Sequence, residues 1–369
     1  MNKVLIIGGG VIGLSIAREL KKKGISDITI LERGAVGREA SFAAGGMLAP
    51  YAETNKFDDF FHFCEESLHL YPNLSEQLLA ETGVDIELDQ AGTLLLAFNE
   101  QDISEINHRY EWQKSAGLAV EKLSATDVHK LEPFVSPDVL AGLFFPNDWQ
   151  VENRKLVEAL HKFCELNEIK VIENTEISKL LTENGKVVGA ESKTNKFFAD
   201  KVILATGAWA SLIQTEVFLL PKVKPIRGQM IEFRTAKRLF SKVIYSTSGY
   251  LIPRQNGRIL IGATSEDAGF DRNLTEIGTE ILQSIALEIA PSLMNLEINE
   301  KWLGFRPFAA DGLPILGEIA ENLFIATAHY RNGILLAPIT GKILAEKVVN
   351  NSNSRYFEAF SHYRFQAKV

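Results

Sequence analysis

The chain opens with short apolar runs separated by one amphipathic stretch. Val4-Leu5-Ile6-Ile7 ends in glycine, and Ile12, Ile16, Ala17 and Leu20 then recur at helical spacing until Gly24. Ile28-Thr29-Ile30-Leu31 is the next apolar run and ends at Glu32. Continuous apolar runs mark strands buried on both faces, so residues 4–31 predict a strand–helix–strand unit of a parallel sheet. Phe57 to Glu81 predicts helix with an interruption near Pro72, and Asp85 to Phe98 predicts extended strands. Helices follow around 101–116 and 125–131, and Gly142 to Phe145 is strand-like. Asn153 to Asn167 places Leu156, Val157, Leu160, Phe163 and Cys164 on one helical face. A strand at Lys170 to Ile172, an antiparallel ribbon over 175–198 and a buried strand at Lys201 to Ala205 come next.

Residues 223–265 alternate strand and turn, with Asn256-Gly257 as a hairpin marker. Leu274 to Ile289 predicts a helix closed by Pro291. Leu323 to Thr327 predicts a strand, followed by a loop and a helix from about Ile334 to Val349. These alternations predict an α/β fold (α+β overall) in which each domain is assembled from separated segments. A Rossmann-like domain built on the parallel sheet takes residues 1–83, 146–222 and 304–369. A mostly antiparallel β-sheet domain for substrate takes 84–145 and 223–303.

Charge narrows the partners. With 39 Lys+Arg against 47 Asp+Glu, the 369-residue chain carries a net charge of −8. That balance gives no electrostatic case for nucleic acid or for an anionic lipid surface. No apolar run approaches the roughly 20 residues that span a bilayer. The two cysteines, Cys64 and Cys164, fit a reducing compartment, so a cytoplasmic protein is expected. The histidines lack ligand-like spacing and predict no metal site. Oligomeric state stays open, with a homo-oligomer allowed.

Gly8-Gly9-Gly10-Val11-Ile12-Gly13 fits G-x-G-x-x-G between a strand and a helix. Gly8 permits the tight turn, Gly10 lets a pyrophosphate approach the backbone, and Gly13 lets helix pack on strand. The amides that open the helix, near Val11 and Ile12, offer hydrogen bonds to phosphate. Glu32, 22 residues after Gly10, is placed to accept from ribose hydroxyls. This unit alone does not separate FAD from a nicotinamide. Three further stretches bear on that choice: the small residues Ser41 to Pro50, the strand end Ala205-Thr206-Gly207-Ala208, and the strand-to-helix loop Ala328 to Leu335.

Together these marks resemble the D-amino-acid oxidase family of FAD oxidoreductases, from Val4 to Phe365. The most specific stretches are Ala44 to Leu48, Tyr250 to Arg254, Gly304 to Pro307 and Arg331 to Pro338. The resemblance implies FAD contacts at the Gly8–Gly13 turn, Glu32, Arg33, Ala40, Ser41, Gly45, Gly46, Met47 and Ile177. It extends them to Gly207 and to His329, Arg331, Asn332, Gly333, Ile334 and Leu335. No cysteine follows Cys164, which predicts non-covalent FAD.

The resemblance also implies amine oxidation. Arg306, set between an apolar run and Pro307, offers a planar fork to a carboxylate. Taken alone it pairs equally well with a structural acid such as Asp311. By the resemblance it clamps the substrate carboxylate, Tyr250 donates a hydrogen bond to the same group, and Arg331 approaches substrate and flavin. Ser248 and Ser265 fall at pocket positions. The implied reaction is oxidation of glycine or another small amine or D-amino acid by hydride transfer to flavin. Molecular oxygen becomes hydrogen peroxide, and the imine hydrolyses or enters thiazole assembly. A D-amino-acid dehydrogenase with another electron acceptor, a flavin protein without turnover and a nicotinamide dehydrogenase remain alternatives.

Overall fold

The structure, a computed structural model, describes residues 3–215 and 219–365. The ends of segments 1–83 and 304–369, and positions 216–218, lie outside them. Val4–Ile7, Ile28–Leu31, Lys170–Ile172, Lys201–Leu204 and Leu323–Thr327 form a parallel sheet, with antiparallel Ile315–Ala320 at its edge. Its central strand Val4–Ile7 lies between Ile28–Leu31 and Lys201–Leu204, buried on both faces as its unbroken apolar run requires. Helix Val11–Lys22 packs on helix Gly333–Asn350. Both begin at the carboxyl ends of parallel strands, where ligands bind in open α/β sheets.

The second sheet has eight strands, in the order Glu300–Phe308, Lys224–Arg234, Arg258–Gly262, Tyr250–Pro253, Val243–Tyr245, Thr93–Ala97, Ala141–Phe145 and Glu121–Ser124. All its pairings are antiparallel except that of Val243–Tyr245 with Thr93–Ala97. Helix Glu276–Ile289 covers one face, where Leu282 and Ile285 cluster with Ile231, Leu251 and Ile261. The other face meets the parallel-sheet half, with the Trp302 indole donating to the Ala43 carbonyl at 3.1 Å.

Three expectations are corrected. Strand Glu300–Phe308 pairs with Lys224–Arg234 over nine residues, so the 303/304 boundary cuts one continuous strand. Pro72 does not interrupt helix Asp59–Thr82, whose buried Leu68, Tyr71 and Leu74 hold it through the missing amide. The stretch 85–92 is mostly loop, touching the ladder only where Asp89 bridges Gln150. The antiparallel ribbon expected over 175–198 is present, with Ile177–Glu183 and Lys186–Ser192 joined by a third strand, Lys196–Phe198. Among the described residues no helix is long and apolar enough to cross a membrane.

Candidate active site

A cavity of about 410 Å³ lies between the two sheets. Its dinucleotide end is built by absent side chains. Gly8 has φ +112°, a conformation that L side chains rarely adopt, and a Cβ there would overlap the Ala205 carbonyl. Both Glu32 carboxylate oxygens accept backbone amides, Oε2 from Gly9 at 2.7 Å and Oε1 from Gly34 at 3.0 Å. The glycine turn is thereby tied to the end of the second strand. The Val11 amide donates to Ser41 Oγ at 3.0 Å, joining the helix start to the 40–47 segment.

That segment is held from below. Asn153 Nδ2 donates to the carbonyls of Ser41 and Phe42. Buried Arg254 donates to the Gly45 carbonyl at 2.8 Å and the Val151 carbonyl at 2.7 Å. Gly46 has φ +72°, and its missing side chain admits the Val151 carbonyl. Opposite, the loop before helix Gly333–Asn350 places Ala328 and Tyr330 at positive φ. His329 is buried with Nε2 3.1 Å from Thr340 Oγ1, and burial pushes its pKa down to about 3. Helix Gly333–Asn350 starts without a side-chain cap, which leaves its first amides for a ligand.

The substrate end is carved out of the antiparallel sheet. Arg306, Gly228, Gly262 and Tyr250 lie on four successive strands. A Cβ on Gly228 would come within 2.6 Å of the Arg306 guanidinium carbon. One on Gly262 would come within 2.7 Å of the Tyr250 hydroxyl. Two strand glycines thus open room for the two polar groups. Arg306 Nη1 donates to the Thr264 carbonyl at 3.0 Å, and the guanidinium has no acidic partner among the described residues. Asp311, the structural alternative, pairs with Arg364 at 2.7 Å. The Tyr250 hydroxyl donates to no group among the described residues, while its ring lies 5.6 Å from that of Tyr245.

Arg331 lines the same end, with Nη2 2.9 Å from Glu53 Oε1. The Glu53 carboxylate raises the Arg331 pKa, and it accepts the Tyr245 hydroxyl at 2.9 Å. Glu53 was not expected from sequence. It ends the short helix Pro50–Glu53, whose Tyr51 and Ala52 amides donate to buried Asp148 at 3.0 and 2.9 Å. Glu39, Trp209 and Met230 also line the cavity without having been expected.

Of the expected contacts, Gly8, Gly10, Val11, Ile12, Glu32, Arg33, Ala40, Ser41, Gly45, Gly46, Met47 and Ile177 line the cavity. So do Gly207, Tyr250, Arg306, His329, Arg331, Asn332, Gly333 and Ile334. Gly13 does not; its missing Cβ makes room for the Gly8 carbonyl beneath the turn. Leu335 does not either, its side chain being wholly buried in the core. Ser248 is exposed with its hydroxyl 3.4 Å from Glu288, and Ser265 is also exposed; neither lines the cavity.

Among the described residues, two buried polar atoms of the cavity lining have no partner, Arg33 Nε and Thr206 Oγ1. With the glycine cradle and two helix starts, they suit a large, anionic, hydrogen-bonding dinucleotide. Residues 3–347 match DAO, the FAD-dependent oxidoreductase family. The chain belongs to this family. The DAO-family relatives include glycine oxidase of Geobacillus kaustophilus, 34% identical over 99% of this chain and 98% of that protein. A bifunctional ThiO/ThiG protein of Trichormus variabilis is 36% identical over 99% of this chain. The chain spans 55% of that relative's length. The crystal structure of the Geobacillus glycine oxidase superposes with a TM-score of 0.94, at 32% identity and 98% coverage of each chain. An iminodiacetate oxidase from Chelativorans gives 0.86, at 26% identity and covering 97% of this chain and 98% of that one. FAD is therefore the cofactor of this DAO-family oxidoreductase, and the cavity between the sheets fits it.

Proposed function

We propose that this chain oxidises glycine, or another small amine bearing a carboxylate, with oxygen as the final acceptor and an imine as product. The observation that carries the reading is Arg306: a cavity-lining guanidinium without an acidic partner among the described residues, in a cavity also lined by a tyrosine whose hydroxyl donates to none of them. Such a cation binds a carboxylate by two parallel N–H···O bonds, and Tyr250 adds a third donor. Bound FAD supplies a two-electron acceptor that oxygen regenerates with release of hydrogen peroxide.

The protein's own contribution is placement. Arg306 and Tyr250 fix the acid group, so the neighbouring C–H bond is set by geometry rather than by a side-chain base. The substrate amine reacts in its neutral form, which puts its deprotonation in the pH–rate profile. Glu53 neutralises Arg331, so Arg306 is the cation left to select the carboxylate. The likeness to glycine oxidases and to a ThiO/ThiG protein supports glycine as substrate and thiazole assembly as the destination of the imine. Buried, unbridged Cys64 and Cys164 agree with work in the cytoplasm.

The test is anaerobic mixing of the yellow holoprotein with glycine, sarcosine, D-alanine and D-proline. Glycine is expected to bleach it, and air to restore the colour with peroxide. Absence of bleaching by all four would overturn the proposal. Arg306→Ala is expected to raise KM about tenfold to a hundredfold, the loss of a charged hydrogen-bonded pair, with FAD still bound.

A further inference from the structure

Loop 263–275 runs from strand Arg258–Gly262 to helix Glu276–Ile289, so it belongs to the antiparallel half. It nonetheless reaches the wall of the cofactor cavity. The Phe270 ring stacks on Trp209, with centroids 5.0 Å apart and planes at 22°. Trp209 carries the Arg33 guanidinium on its ring, 3.9 Å from the centroid. Arg33 Nη2 is 2.7 Å from Glu39 Oε1, and that same oxygen accepts Arg272 Nη2 at 2.6 Å. Arg272 in turn lies over the Phe305 ring, 5.4 Å from its centroid. Arg33, Glu39, Trp209 and Phe305 line the cavity, whereas Phe270 and Arg272 do not.

The loop is itself anchored. Buried Arg227 donates to the Asp271 carboxylate at 2.7 Å and to the Asn273 carbonyl at 3.0 Å. Phe270 and Arg272 flank that anchored Asp271, one pressing on the indole and the other on Glu39. The result is one flat cation, fixed between a ring and a carboxylate, whose buried Nε has no partner among the described residues.

We propose that Phe270 and Arg272 are positioning residues for the cofactor, acting through Trp209 and Glu39 to hold Arg33 ready for an acceptor atom of the dinucleotide. A free arginine side chain loses rotamer freedom when it binds, and one already fixed loses less. FAD is thus retained by the antiparallel half as well as by the glycine turn. This inference is independent of which amine is oxidised.

The experiment measures FAD dissociation constants by equilibrium dialysis of apoprotein, and FAD loss on dilution of holoprotein. Phe270→Ala is expected to weaken FAD binding about tenfold, the upper range for an aromatic pair with its cation stack. Arg272→Glu is expected to weaken it roughly threefold at low salt, with the difference fading at high salt because the pair is exposed. Phe270→Tyr and Arg272→Lys are expected to restore most of the affinity, and the apoprotein Tm is expected to match that of the parent. FAD constants within twofold of the parent for both disruptive variants would overturn the proposal. So would losses that follow apoprotein Tm and are not rescued by the conservative variants.

Discussion

Gly228 and Gly262 show how much a single missing methyl group decides. Both sit in strands at ordinary φ, so alanine is conformationally allowed there and the conflict is one of space. Gly228→Ala would press its Cβ against the Arg306 guanidinium, and KM for the proposed amine substrate is expected to rise tenfold or more while the flavin spectrum persists. Steady-state kinetics alongside the visible spectrum checks this. His329 gives a pH prediction. Its folded pKa of about 3 lies below the ordinary imidazole value of 6.5, so the unfolded chain binds the extra proton between these values. This contribution is complete above pH 6.5 and is lost as pH falls toward 3. Between pH 7 and 5 the parent is expected to lose about 2 kcal/mol more unfolding free energy than His329→Gln, by urea titration at both values. Arg306 was legible as a candidate because its apolar neighbours imply burial, and buried arginine needs a partner. Glu53 was not legible, since an acid ending a four-residue helix has no periodic signature, and its place depends on Asp148, 95 residues further on.

The two long helices carry internal prolines that sequence and structure treat differently. Pro338 lies one turn into Gly333–Asn350, where its missing amide leaves the Ile334 carbonyl without the usual donor. The Tyr71 hydroxyl from helix Asp59–Thr82 donates to that carbonyl, and Ser67 Oγ donates to the next, Leu335, at 2.6 Å. The helix start that faces the cavity is therefore completed by another helix. Tyr71→Phe leaves that buried carbonyl unpaired and is expected to cost about 1–3 kcal/mol, read by denaturant unfolding of the apoprotein. Strand and helix existence was widely legible because buried parallel strands are unbroken apolar runs and amphipathic helices keep their period. The break expected near Pro72 failed because propensity counts one lost amide, whereas Leu68, Tyr71 and Leu74 together bury a whole helical face.

At the scale of the molecule the cavity is a seam. Strand Glu300–Phe308 completes the antiparallel sheet while bringing Gly304, Phe305 and Arg306 to the cofactor wall. No composition change marks that position, which is why the boundary was drawn inside it. Nucleotide binding itself was legible, because the glycine turn and Glu32 are local to one unit. The support that loop 263–275 gives to the lining residues Trp209 and Glu39 was not, because it depends on tertiary approach. Since both sheets border the cavity, FAD is expected to stabilise them together, by about 2.7 kcal/mol at a hundredfold excess over its dissociation constant. A Tm that climbs with added FAD, in one transition, is the expected record; a Tm indifferent to FAD would contradict it. The indole of Trp209 has a practical consequence. It is one of four tryptophans, it lines the cavity, and it lies beneath Arg33. Flavins absorb where indoles emit, so loading the cavity should dim this residue's ultraviolet-excited light, and Trp209→Phe should remove much of the quenching signal.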